Sequence, residues 1–129
     1  MRHSILLSLL LAAVMAMTGH TACSAGNGGG SFTAGDKTFL LNGKPFTVKA
    51  AELHYPRIPR PYWEHRIRMC RALGMNTICL YVFWNIHEQR EGEFDFTGQN
   101  DIAAFCRLAQ RNGMYVIVRP GPYVCAEWE

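Results

Sequence analysis

The segment Asn76-Thr77-Ile78-Cys79-Leu80-Tyr81-Val82-Phe83-Trp84 is an almost unbroken apolar run, with a helical pattern on either side of it. A strand without polar alternation must be covered on both faces, which is the situation of a parallel strand in an α/β fold. On its N-terminal side, Ile58 to Leu73 reads as a helix. Trp63, Ile67, Cys70 and Leu73 recur at spacings that make one apolar stripe. Pro61 suits the first turn, where a missing N–H costs nothing, and Gly74 suits the left-handed position just past the end. Arg66, Arg68 and Arg71 fall on or beside the outer face and read as a solvated surface, with Glu64 and Arg68 spaced i, i+4.

On its C-terminal side, Asp101 to Asn112 is a second helix with Ile102, Phe105 and Ala109 on one face, and Gly113 follows it. Met114 to Val118 reads as another buried strand, stopped by Pro120-Gly121-Pro122. A further strand is expected near Thr47 to Leu53. It is preceded by a small hairpin, because Asn42-Gly43 supplies the positive φ values that a type I′ turn requires. The order strand, helix, strand, helix, strand argues a parallel sheet with right-handed crossovers. Alternation alone does not separate a doubly wound sheet from a (β/α)8 barrel. The absence of a GxGxxG or P-loop after any strand weighs against the nucleotide-binding versions. Three strands in roughly 70 residues is barrel-like pacing, and a complete barrel takes about 250 residues. The expectation is therefore an α/β chain holding the first three βα units of a (β/α)8 TIM barrel, within a larger protein.

The first 22 residues read as a signal peptide rather than fold. Arg2 and His3 precede a run from Ile5 to Met17 that is too short to span a bilayer and has secretory proportions. Thr21-Ala22-Cys23 resembles the end of a bacterial lipoprotein signal, which would make Cys23 the lipidated N-terminus and give a membrane anchor. His20 stands where that pattern has Leu, and plain cleavage after Ala22 or Ala25 is the alternative. Export to a bacterial periplasm or cell envelope follows in either case. Residues 23–31, rich in glycine, read as a flexible linker, so the structured part spans residues 32–129.

Composition limits the function classes. The chain has 129 residues, is 49% hydrophobic and carries a formal charge of +3, too mild a surplus for a nucleic-acid groove. The cysteines at positions 23, 70, 79, 106 and 125 form no CxxC pair, so zinc-ribbon and thioredoxin sites lack support. Cys70, Cys79 and Cys106 fall on apolar faces and read as buried thiols rather than disulfides. His54 and the pair His87-Glu88 come without HExxH or His-x-His spacing, so no metal is expected. No cofactor motif is present.

In a barrel the active face is built at the C-terminal ends of the strands. The residues just past each strand are His54-Tyr55-Pro56, then Trp84-Asn85 with His87-Glu88, then Arg119-Pro120-Gly121-Pro122-Tyr123 running to Glu127-Trp128. Each strand end mixes aromatic rings with hydrogen-bonding groups, the mixture that sugars need: ring faces for C–H patches, carboxylates and amides for hydroxyls. Glu127 follows a strand directly, between Cys125-Ala126 and Trp128, and reads as a site carboxylate. Trp63 reads as helix core rather than a sugar platform.

Several of these stretches together resemble the family-35 glycoside hydrolases, the β-galactosidases. They are His54-Tyr55-Pro56-Arg57-Ile58-Pro59 with Trp63 and Arg66, Gly74-Met75-Asn76, Tyr81-Val82-Phe83-Trp84-Asn85, His87-Glu88 and Glu91-Gly92-Glu93-Phe94-Asp95-Phe96. The most specific is Arg119-Pro120-Gly121-Pro122-Tyr123-Val124-Cys125-Ala126-Glu127-Trp128. The likeness covers about residues 39 to 129, with the motifs in order. It implies a retaining β-galactosidase on a (β/α)8 barrel, acting on terminal β-linked galactose. By the same resemblance Tyr81, Ala126 and Glu127 hold the galactosyl ring in the −1 subsite. His54, Tyr55, Trp84, Asn85 and Cys125 stand around them as supporting residues. The family's two catalytic glutamates lie on later strands, so no catalytic residue is assigned within these 129 residues.

Two positions depart from the family pattern. Glu52 stands where many relatives have a small residue, and Gln89 where a proline often follows His-Glu; both are expected to alter packing or subsite detail. Retaining hydrolysis needs two carboxyls about 5–5.5 Å apart, and Glu52, Glu88, Glu127 and Glu129 offer no assignable pair. The isolated chain is thus expected to bind weakly and not to turn over. With strand edges unpaired it is also expected to be molten or aggregated. The alternative reading is a non-catalytic sugar-binding envelope protein.

Overall fold

Two small sheets organise a mixed α/β chain in the computed structural model, which describes residues 30–121 and 123–126. The signal segment, Cys23 and Glu127 lie outside the described residues. The chain divides after Thr47 into two units.

The first unit is an antiparallel sheet of β1 (Phe32–Ala34), β2 (Phe39–Leu41) and β3 (Lys44–Phe46), in that order. The β2–β3 register pairs Leu41 with Lys44, so Asn42 and Gly43 form a two-residue connection. Both have positive φ, 53° and 75°, which asparagine and glycine adopt at least cost. The Asn42 side chain also accepts from the Ser31 N–H at 2.8 Å, so ordered structure begins before Phe32. Phe32 stacks on Phe39 and meets Phe46 edge-on.

The second unit holds a parallel sheet in the order β4 (Ala50–Glu52), β5 (Thr77–Tyr81), β6 (Tyr115–Arg119). Helix α1 (Trp63–Ala72) connects β4 to β5, while α2 (Trp84–His87) and α3 (Ile102–Arg111) lie between β5 and β6. Alternate strand residues point to opposite faces. Ile78 and Leu80 of β5 join Trp63, Ile67 and Cys70 of α1, Phe105 and Ala109 of α3, and Tyr55 and Met114 in the core. Trp63 meets Phe105 edge-on at 5.2 Å, and its indole N–H donates to the carbonyls of Tyr55 and Ile58 at 3.0 and 2.8 Å. Trp63 is a core residue, 1% exposed.

The structure shifts several expected boundaries. Helix α1 starts at Trp63, five residues after Ile58, because Pro59 and Pro61 supply no N–H and the chain runs through short 3-10 turns first. Strand β5 ends at Tyr81 rather than Trp84. The Val82 N–H makes a last link to the Arg119 carbonyl, after which Trp84 opens α2. Helix α3 is capped by Asp101, whose carboxylate accepts from the Ala104 N–H at 2.8 Å. Gly74 and Gly113 both follow helices with positive φ, 83° and 72°.

Strand β6 departs from the expectation of burial: Tyr115, Ile117 and Val118 are 49%, 40% and 45% exposed. It pairs with β5 alone among the described residues, so its outer edge lacks the cover that β5 has from both neighbours. Of the cysteines, Cys70 is buried, Cys79 and Cys106 are half-buried and Cys125 is exposed, all as free thiols. Burial pushes the Cys70 and Cys106 thiols up from their ordinary range.

Candidate functional site

The register of the parallel sheet decides which side chains share its other face. Glu52 lies opposite Cys79, Cys79 opposite Ile117, and Tyr81 opposite Arg119. In-register partners on parallel strands point the same way, so Glu52, Tyr81 and Arg119 project together near the C-terminal ends of β4, β5 and β6. The contacts agree. Arg119 Nη1 lies 3.2 Å from Glu52 Oε2, and the guanidinium carbon sits 3.8 Å from the centroid of the Tyr81 ring. The other Glu52 oxygen is 2.7 Å from His54 Nε2. The His54 ring meets Tyr81 and Phe83 edge-on, with centroids 6.0 and 5.2 Å apart.

Arg57 ties together the loops that follow the strands. It comes from the turn after β4, its Nη2 donates to the Ala126 carbonyl at 2.8 Å, and its guanidinium lies 5.9 Å from the ring of Phe83, which follows β5. Ala126 and Tyr81 therefore both sit in segments at the C-terminal end of the sheet. Tyr81 is 8% exposed.

Beneath this rim, a buried link sets the path of the loop after β5. His87 is 2% exposed and its Nδ1 is 2.7 Å from the Asp95 carbonyl, which can only accept. Nδ1 therefore carries the proton and Nε2 is the acceptor for the Tyr55 hydroxyl, its hydrogen-bond partner. Tyr55 is fully buried, and desolvation pushes its phenol up to about 12. The Asp95 carboxylate is held below its usual range by hydrogen bonds from Thr97 and Asn100. Glu88 receives the Trp84 indole N–H on one oxygen and the Gly92 N–H on the other, at 2.5 and 2.8 Å.

The residues picked out from sequence thus divide into three groups. Tyr81, His54 and Ala126 gather at the strand ends. Tyr55 is core and meets the strand-end cluster through the ring of Phe83, with its hydroxyl on His87. Trp84 is 44% exposed with its N–H taken by Glu88, Asn85 is exposed on α2, and Cys125 is an exposed thiol. Glu127, next to Ala126, lies outside the described residues. Among the described residues, no three His, Cys, Asp or Glu side chains converge as a metal site would require. A cavity of about 500 Å³ lined by Cys106, Arg107, Gln110, Met114, Tyr115 and Val116 lies at the opposite end of β6 from Arg119.

Sequence reasoning missed the Glu52–Arg119 pair and the Arg57–Ala126 bond. The first depends on strand order and register, which bring together residues 67 positions apart. The second had no local signal, because it joins residues 69 positions apart.

The family model for glycosyl hydrolases family 35 matches residues 38–129. The chain is 53% identical over 91 residues to a β-galactosidase of Xanthomonas manihotis, covering 70% of this chain and 15% of that protein. It is 47% identical over 91 residues to a β-galactosidase of Mus musculus, covering 70% and 14%. An exo-β-D-glucosaminidase of Pyrococcus horikoshii is 46% identical over 97 residues, covering 72% and 12%. The chain spans about one seventh of the length of the curated relatives it matches. With a match over most of its length and motifs that converge at the strand ends, the chain belongs to glycosyl hydrolases family 35.

Proposed function

We propose that the protein carrying this chain is a retaining β-galactosidase that removes terminal non-reducing β-D-galactose from oligo- or polysaccharide galactosides. In this reading residues 32–129 form a β-hairpin region and the first three βα units of a (β/α)8 barrel. Tyr81, Ala126 and Glu127 hold the galactosyl ring, supported by His54, Tyr55, Trp84, Asn85 and Cys125. The observation that carries the reading is the gathering of Tyr81, Arg119 and the Arg57-bound Ala126 carbonyl at the ends of parallel strands. It occurs in a chain 53% identical to a named β-galactosidase over the same stretch.

The chemistry divides between this chain and the later strands. Two carboxyls about 5–5.5 Å apart, one nucleophile and one acid then base, come from those strands. The residues here bind and orient. Each charge-assisted hydrogen bond that the Glu127 carboxylate accepts from a sugar hydroxyl contributes about 1.5–3 kcal/mol, enough to select one ring orientation. No cofactor takes part. The leader directs the protein to the bacterial periplasm or cell envelope, with Cys23 as a lipid anchor if the lipoprotein signal is used. Mass spectrometry of the mature N-terminus, with Cys23→Ser as control, decides between lipidation and plain cleavage.

The test is hydrolysis of aryl β-galactosides by the full-length protein, with aryl β-glucosaminides alongside because one relative is named for that sugar. Galactoside hydrolysis with retained anomeric configuration supports the reading. Preference for the glucosaminide overturns the substrate. Galactose binding without aryl release favours a non-catalytic sugar-binding envelope protein instead.

A further inference from the structure

Glu52 and Arg119 stand on strands that do not touch. Strand β5 lies between β4 and β6, and neighbouring strands are about 4.8 Å apart, so their backbones are separated by about 10 Å. Only two long side chains can close that gap, and the place where they meet is beside Tyr81. The Arg119 guanidinium covers the Tyr81 ring at 3.8 Å while Glu52 holds it at 3.2 Å. The second carboxylate oxygen engages His54, whose ring meets the same tyrosine edge-on. One carboxylate therefore anchors two of the three groups that contact the Tyr81 ring, the third being Phe83.

We propose that Glu52 is a positioning residue for the sugar site, acting on Tyr81 through Arg119 and His54. The proposal rests on the reading of Tyr81 as a galactose contact. Glu52 itself touches no sugar: both of its oxygens are engaged within the network, and its task is to keep the guanidinium over the ring it covers. Without it the cation keeps its charge but loses the partner that defines its place, and the Tyr81 ring gains rotational freedom that sugar binding must then remove. The effect belongs to binding rather than to bond cleavage, because the network acts on Tyr81, a residue read as a sugar contact.

The experiment uses the full-length protein and Glu52→Ala, Glu52→Gln and Glu52→Asp. It reads KM and kcat on the aryl β-glycoside that the unaltered protein hydrolyses fastest, together with inhibition by the corresponding free monosaccharide. Glu52→Ala is expected to raise KM and the inhibition constant about threefold to tenfold, with kcat held within about twofold. Glu52→Asp, one methylene too short for the span, behaves like Ala, and Glu52→Gln keeps the reach and most of the affinity. In an Arg119→Met background, which removes the charge and keeps the stem, Glu52→Ala adds less than about half of its original effect. If Arg119→Met does not fold, the ordering of the three Glu52 variants decides alone. An unchanged KM, a loss confined to kcat, or equal effects in both backgrounds overturns the proposal while leaving the hydrolase reading intact. If the unaltered protein hydrolyses no β-glycoside, the functional reading falls and this proposal falls with it.

Discussion

Arg57 donates through Nη2 to the carbonyl of Ala126 at 2.8 Å, joining the turn after the first parallel strand to the segment after the third. The bond is exposed, so its contribution is below the 1.5–3 kcal/mol of a buried charged hydrogen bond. It still fixes the backbone immediately before Glu127. Arg57→Ala in the full-length protein is expected to raise KM for an aryl β-galactoside by about threefold to tenfold. Arg57→Lys recovers only part of the loss, since an ammonium lacks the planar face that lies against Phe83. Unchanged kinetics for Arg57→Ala would contradict this role.

The Tyr55–His87 link makes a stability prediction with a pH signature. Tyr55→Phe leaves the buried His87 acceptor unpaired and should cost about 1–3 kcal/mol, read from urea unfolding. Because the phenol is pushed up to about 12 from 10.0, the folded protein holds this proton more tightly than the unfolded chain. Stability from this group is complete below pH 10 and declines as pH rises toward 12. The stability difference between the parent and Tyr55→Phe should therefore shrink across that window; a constant difference would contradict the assignment.

The Ile58 carbonyl has two donors, the Trp63 indole and the Gln99 amide, and the Tyr55 carbonyl has those two and the Ile58 N–H. Removing one side chain leaves both carbonyls satisfied, whereas removing both orphans the Ile58 carbonyl in a partly buried setting while the Tyr55 carbonyl keeps the Ile58 N–H. Trp63→Phe and Gln99→Ala should thus be more damaging together than their separate effects predict, by about 1 kcal/mol in a double-mutant cycle. Strict additivity would mean that water takes the place of the missing donors.

Gly74 has φ of 83°, and a Cβ built there meets nothing within 4 Å. The cost of Gly74→Ala is then purely conformational, about 1 kcal/mol, and Gly74→Asn should cost less because asparagine tolerates the left-handed region. The urea midpoint should fall with the slope unchanged. A stabilised Ala variant would show that the helix can end differently.

Strand β6 exposes Tyr115, Ile117 and Val118, and β4 and β6 each pair on one side only among the described residues. Unlike the full-length protein, in which the stability variants above are measured, the 129-residue chain expressed alone is expected to lack a cooperative urea transition and to associate through these edges. A sharp, concentration-independent transition of a monomer, followed by near-UV circular dichroism, would refute this.

What could be read along the chain was whatever depends on near neighbours. The apolar spacing of Trp63, Ile67 and Cys70 needs only the helical repeat, and Gly74 and Gly113 needed only the rule that a left-handed residue follows a helix. Tyr81 and Ala126 are named by the resemblance to the family-35 glycoside hydrolases, which is carried by contiguous motifs. The start of α1 was misread because two prolines in three residues favour 3-10 turns over a continuous ladder.

Local sequence settled which of the longer segments are helical and which are extended, since that follows from backbone preferences over a few residues, while the start of α1 and the end of β5 fell elsewhere than expected. Tertiary structure alone decided that Glu52 reaches Arg119 past an intervening strand and that Arg57 meets Ala126. Those pairs depend on strand order, on register and on side-chain reach, and no short-range pattern encodes any of the three.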